Sequence, residues 1–203
     1  MNQTIEFYDK NAKEFCEKHD SVKLDSFHET FKIELKPGSK VLELGCGSGR
    51  DAARAIADGF DVWALDGSAN LLTEIPKIHP ELSDRLVHAI LPQKLDFEAG
   101  FFDGFFSVAC FMHFSEDELK LILQELKRVT KKGGKGLASV PACRPDVTDA
   151  GVDIHNRVFH LRETKQWIRI FNECGFEAKA GDPEPDKLGR EGVWWITFVL
   201  KSL

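Results

Sequence analysis

Three glycines and two acids carry the first chemical signal of this chain. Gly45, Gly47 and Gly49 follow the apolar run Val41-Leu42-Glu43-Leu44, and Asp66 closes a second one, Val62-Trp63-Ala64-Leu65. Glycine at every second position lets the backbone turn sharply after a strand and come within contact distance of a bound ligand, which a Cβ would obstruct. An acid 21 residues beyond Gly45, at the end of the next strand, is placed to accept both hydroxyl hydrogens of a ribose when the two strands lie side by side in a doubly wound sheet. The pattern points to a nucleoside ligand. A purely structural turn with a solvated strand-end acid is the weaker reading, because three glycines fall within five residues directly after an apolar strand.

Spacing narrows the nucleoside. A dinucleotide fingerprint runs G-x-G-x-x-G, its third glycine packing a helix whose N-terminus faces a pyrophosphate. Here the third glycine comes one residue early, and Arg50 stands where the dinucleotide glycine belongs. Glu43 would repel a pyrophosphate and attract an ammonium, since hydrogen bonds between charged groups are about twice as strong as neutral ones. The ligand is then a nucleoside with a cationic amino-acid tail, as in S-adenosylmethionine.

The run Glu43-Leu44-Gly45-Cys46-Gly47-Ser48-Gly49-Arg50 resembles motif I of the class I S-adenosylmethionine-dependent methyltransferases, and Asp66 resembles their ribose-binding acid. Phe102-Asp103-Gly104-Phe105-Phe106-Ser107-Val108 is similar to the family's fourth strand. Leu126-Lys127-Arg128-Val129-Thr130-Lys131-Lys132-Gly133-Gly134 is similar to the turn before the fifth, and Asn172-Glu173-Cys174-Gly175-Phe176 to the turn before the sixth. Tyr8-Asp9-Lys10-Asn11-Ala12 resembles the front of the small single-domain tellurite-resistance and ubiquinone-biosynthesis types. The resemblance implies a cofactor site made of Glu43, Gly45, Cys46, Gly47, Gly49 and Arg50, with Asp66, Gly67 and Ser68, then Leu91 and Pro92, then Cys110 and Phe111, and Tyr8 folded over it. It also implies methyl transfer, leaving S-adenosylhomocysteine. Many relatives bind the adenine amino group with an acid after strand three, and Ala89-Ile90-Leu91-Pro92-Gln93 has none, so Leu91 is left to pack on the ring.

The transfer asks mainly for alignment, because the sulfonium already activates the methyl group. A base is needed only where the acceptor must lose a proton, and His113, His155 and His160 are the candidates, His113 and His155 foremost. Arg144, Arg157 and Arg190 are candidates to hold an anionic acceptor by their forks of donors. Asp146, Asp149 and Asp153 have spacings that a helix would gather, yet Pro145 and Gly151 around them favour a solvated loop, so no metal is expected. Strand four lacks the Asn/Asp-Pro-Pro-aromatic turn that orients a flipped adenine, and a net charge of −6 argues against a standing grip on nucleic acid. The expected partner is a small-molecule methyl acceptor, with neither nucleic acid nor membrane, and the oligomeric state is left open. A nicotinamide-dependent oxidoreductase shares such a sheet but needs glycine at Arg50. A non-catalytic S-adenosylmethionine-binding protein would keep the turn and lose the acceptor pocket.

The elements that must position these groups follow the hydrophobic periods. Residues 5–19 and 21–35 read as two helices, the second burying Leu24, Phe27, Phe31 and Leu35. Strands are expected at 41–44, 61–66, 85–90, 104–111, 135–140, 176–180 and 193–200, with helices at 51–58, after Ser68, from Ser115 and at 164–174, and turns over 181–192. Ser115-Glu116-Asp117-Glu118 reads as a capping box. Alternating strands and helices mean a parallel sheet. The resemblance implies a Rossmann-like, doubly wound α/β fold of seven mostly parallel strands in the order 3-2-1-4-5-7-6, strand 7 antiparallel, with helices on both faces. Residues 1–203 are expected to form one methyltransferase domain, with a helical lid over 1–36 and the core over 37–203. Five cysteines without a C-x-x-C pair, and no apolar run able to span a bilayer, read as reduced thiols in a cytoplasmic protein.

Overall fold

The computed structural model describes residues 2–203. Three helices lead: α1 (Asn2–Lys10), α2 (Ala12–His19) and α3 (Asp25–Glu34). The sequence reads α1 and α2 as one helix; they part at Asn11, whose side-chain amide donates to the Phe7 carbonyl at 2.7 Å. Such local bonds compete with the helical ladder. The core then alternates as β1 (Lys40–Leu44), α4 (Arg50–Ala57), β2 (Asp61–Asp66), α5 (Ala69–Ile78), β3 (Leu86–His88), β4 (Phe102–Val108), α6 (Glu116–Val129), β5 (Thr130–Cys143), α7 (Thr164–Glu173), β6 (Phe176–Ala180), β7 (Glu184–Pro185) and β8 (Trp194–Ser202).

The sheet runs β3-β2-β1-β4-β5-β8-β6. The first five strands are parallel, and β8 lies antiparallel between β5 and β6. This is the expected order with β8 as the seventh strand. The added strand is β7, two residues inside the stretch read as turns, paired with Trp194 and Trp195. Strand four ends at Val108 rather than Phe111, because Ala109 takes a left-handed φ of 55° and the chain curls into a 3-10 turn over Phe111–His113.

Successive residues of a strand face opposite sides. Leu42, Leu44, Phe105, Ala138, Val140 and Phe198 pack with α6 and α7, including Leu123, Leu126, Trp167 and Phe171. On the other face Val41, Val62, Ala64, Phe106 and Leu137 pack with Phe27 and Phe31 of α3, Ala52 and Ala55 of α4 and Ile75 of α5. Each large side chain so buried contributes about 1.5–3 kcal/mol. Ser115 and Glu118 form the expected capping box at the start of α6, and Ser68 caps α5 by accepting from the Leu71 amide. With five strands parallel, the turns after β1, β2, β3, β4 and β5 open along one edge, the edge at which doubly wound sheets bind ligands. No helix among the described residues is long and apolar enough to cross a membrane.

Candidate active site

The turn after β1 is built for close approach. Gly45 and Gly47 hold φ of +70° and +56°, a region that favours glycine. A Cβ on Gly45 would stand 2.6 Å from Cys110 Sγ, and one on Gly47 would stand 3.2 Å from the Phe15 ring. Asp66 closes the turn: one carboxylate oxygen accepts from the Gly47 amide and the other from the Ser68 amide, each at 2.9 Å. Burial raises its titration, and these backbone donors oppose the rise. The acid thus locks the glycine turn while its remaining lone pairs face the cavity it lines.

Glu43 lies mid-strand in β1, in register with Ala64 and Phe106, and is 1% exposed. Its Oε2 has no partner, although a buried carboxylate oxygen is normally hydrogen-bonded. Burial, then the charge of Asp51, push the Glu43 carboxyl well above the usual range. Asp51 is oppositely placed. Burial works to raise it, but the bond from His28 Nε2 at 2.9 Å and the Arg50 guanidinium outweigh that and hold it low. Helix α3 thus supplies His28, α4 supplies Arg50 and Asp51, and together they back Glu43 with a fixed charge.

One cavity of about 540 Å³ is lined by the glycine turn, Glu43 and Asp66 and also by His113, Arg144, Arg157, Phe159 and Arg190. Helices α1 and α2 lie along it. Ile5 meets Gly67, Ser68 Oγ donates to Asp9 at 2.6 Å, and Arg50 Nη1 donates to the His19 carbonyl at 3.1 Å. Tyr8 packs edge-on to Phe15, and its hydroxyl accepts from Arg157 Nη1 at 3.1 Å. His113 is 5% exposed. Its Nδ1–H donates to the Val158 carbonyl at 2.5 Å, which leaves Nε2 as the lone-pair nitrogen, buried and unpartnered. Burial pushes this imidazole down to about 4. Burial likewise pushes the Cys110 thiol up to about 12, so it is protonated at neutral pH.

Residues 41–134 match the family model described as methyltransferase domain. The matched stretch, which holds the glycine turn and Asp66, is a methyltransferase domain. A Xenopus tropicalis tRNA (carboxymethyluridine(34)-5-O)-methyltransferase alkbh8 is 31% identical over 138 residues, which are 66% of this chain and 20% of that protein. Phosphoethanolamine N-methyltransferase 3 of Arabidopsis thaliana is 27% identical over 170 residues, 76% of this chain and 32% of that one. The chain therefore spans a fifth to a third of those relatives. The crystal structure of Burkholderia thailandensis 1,6-didemethyltoxoflavin-N1-methyltransferase, with 1,6-didemethyltoxoflavin and S-adenosylhomocysteine bound, shares its fold at a TM-score of 0.73 and 17% identity, covering 98% of this chain and 84% of that one. S-adenosylmethionine is the cofactor of this domain family, and Glu43 Oε2, buried without a partner, fits the charge of its ammonium.

The cavity gathers Tyr8, Glu43, Gly45, Cys46, Gly47, Arg50, Asp66, Gly67, Leu91 and Cys110 from the cofactor residues expected on sequence. Four others stand outside it. Gly49 caps α4 with φ +81° and packs on Ile75; Ser68 spends its hydroxyl on Asp9 and the Leu71 amide. Phe111 is buried against Phe171, and Pro92 is not on the wall. His155 is outside as well, its ring 4.9 Å from Phe7 on the surface, and His160 is not on the wall either. Asp146 and Asp153 hold Arg144 and Arg157, and among the described residues no three potential ligands gather for a metal. His28, Asp51 and Phe159 went unread in the sequence. Asp51, directly after Arg50 in the opening turn of α4, was the one with a local signal; the others depend on partners distant in sequence.

Proposed function

We propose that the protein transfers the methyl group of S-adenosylmethionine to a small-molecule acceptor by in-line displacement. The observation that carries this is one cavity whose lining includes both Glu43, with an orphaned carboxyl oxygen, and His113, with an orphaned imidazole nitrogen. When bound, the cofactor supplies a methyl group already activated on a sulfonium. Glu43 receives the ammonium, Asp66 the ribose hydroxyls, the Gly45–Gly47 backbone the close-lying chain, and Leu91 the adenine face. His113 takes a proton where the acceptor loses one, and α1 and α2 act as a lid that excludes water and fixes the acceptor against the methyl group. The small-molecule reading is supported by an acceptor space lined within the chain and by the net charge of −6.

The first test is calorimetry. S-adenosylmethionine and S-adenosylhomocysteine are expected to bind saturably and NAD not at all; heat from NAD alone would turn the reading toward an oxidoreductase. The oxidoreductase reading has little support, since Arg50 stands at the dinucleotide glycine and is engaged with Asp51 and His19. Binding without release of S-adenosylhomocysteine from any acceptor would leave a cofactor-binding protein. The name of the tRNA-modifying relative favours one other reading, a nucleic-acid acceptor. Filter binding with bulk tRNA at low salt tests it, and retention that survives raised salt would support it.

A further inference from the structure

Phe159, buried in the connection from β5 to α7, has three hydrogen-bonding side chains around its ring. His113 lies at 4.7 Å, the Arg144 guanidinium at 4.7 Å and the Arg157 guanidinium at 5.6 Å. All three line the cavity. Each arginine is turned by an aspartate that does not line it: Asp146 accepts from Nε and Nη2 of Arg144, and Asp153 from Nε and Nη2 of Arg157. A fork of this kind fixes the guanidinium plane and occupies one edge. The other edge is presented with little rotamer freedom left to lose on binding. On Arg157 that edge meets the Tyr8 hydroxyl; on Arg144, Nη1 has no protein partner among the described residues. Pre-set donors whose acids stand behind them suit an oxyanion.

His113 offers a lone-pair nitrogen to a hydroxyl proton. Its tautomer is set by Val158, and its free Nε2 belongs to a ring held neutral and weakly basic by burial, near 4. The ring can take the proton of a hydroxyl under methylation, because the oxygen becomes strongly acidic as its new bond forms.

Building on the methyl transfer proposed above, we infer that the acceptor is a small hydroxyl compound bearing a carboxylate or phosphate, its oxyanion held by Arg144 and Arg157 and its hydroxyl facing His113 Nε2. The hydroxyl oxygen's lone pair forms the new bond to the methyl carbon, and the carbon–sulfur bond breaks with its electron pair left on sulfur. The hydroxyl proton passes to His113 and then to water.

Four probes test this: para-hydroxybenzoate and para-hydroxyphenyl phosphate, which carry hydroxyl and anion; methyl para-hydroxybenzoate, which lacks the anion; and para-aminomethylbenzoate, in which an aliphatic amine replaces the hydroxyl. Each is titrated into protein saturated with S-adenosylhomocysteine and separately assayed for methyl transfer from S-adenosylmethionine. Both anionic phenols are expected to bind and to turn over, the ester to bind about tenfold more weakly or worse, and the amine to give no product. The tighter of the two phenols identifies the anion. Arg144→Met should weaken the anionic phenols about tenfold without affecting the ester, and His113→Asn should lower kcat with phenol binding kept. S-adenosylhomocysteine affinity is the control for folding. The ester comparison needs no variant, so it decides even where Arg144→Met does not fold. Equal binding of ester and acid, turnover of the amine, or no binding of either anionic phenol to a protein that still binds S-adenosylhomocysteine would overturn the inference. Failure of wild-type protein to bind S-adenosylhomocysteine would overturn the methyltransferase proposal, and this inference with it.

Discussion

Asp66 has one task in the fold and a second proposed at the cofactor, and a substitution removes both. It receives the Gly47 and Ser68 amides, so Asp66→Ala strands two backbone donors as well as removing the proposed ribose acceptor. Cofactor affinity measured by calorimetry is expected to fall by about 1.5–3 kcal/mol, and the melting temperature of the ligand-free protein to fall too, for a loss of about 1–3 kcal/mol. An unchanged melting temperature would mean that the glycine turn holds itself. His113 makes a pH prediction. Its folded value near 4 lies below the 6.5 of the unfolded chain, so the unfolded state takes up the proton first. The stability that the neutral ring allows is complete above about pH 6.5 and drains away as pH falls toward 4, about 3 kcal/mol in all. Denaturant titrations of wild type and His113→Asn should show a smaller fall in the variant across that window; parallel curves would contradict the burial argument.

Helices α1 and α2 are attached to the site more than to the core. Ala12, Cys16 and Leu71 form a small cluster with Tyr8 and Phe15, apart from the two large clusters on either face of the sheet. Their polar ties run to the site: Asp9 to Ser68, His19 to Arg50, Tyr8 to Arg157, and Thr4 Oγ1 to the Val158 amide at 3.0 Å. Val158 also accepts from His113, so one residue ties α1 to His113 and to the connection from β5 to α7. Deleting residues 1–20 is therefore expected to leave the sheet folded by circular dichroism while cofactor affinity and turnover both drop. A stable truncated protein with normal affinity and turnover would refute the lid, and an unfolded one would show that these helices are structural cover. The capping boxes of α6 and α7 are the opposite kind of element, local in sequence and independent of any ligand. Glu163 and Gln166 form the second of these.

At the scale of the molecule, alternation and glycine spacing determined the most. The parallel sheet, the turn after β1 and the acid after β2 were legible because each rests on neighbours within one strand-helix-strand unit, where period and turn chemistry act directly. Ser115 and Ser68 were legible as caps for the same reason: a cap and its amide lie three residues apart. What only the tertiary structure decided was which candidates face the cavity. His113 and His155 look alike in sequence, yet the left-handed turn at Ala109 carries His113 inward under Phe159, while His155 sits on an outer loop. Arg144, Arg157 and Arg190 were named as anion holders, but their forks to Asp146, Asp153 and Asp186 needed the loop conformation, since spacing alone permits many partners. The link from His28 to Asp51 to Glu43 joins α3, α4 and β1 across the chain, and Tyr8 meets Arg157 from 149 residues away. Local patterns encode local bonds. Contacts between distant segments appear only when the packed core has fixed where each segment lies.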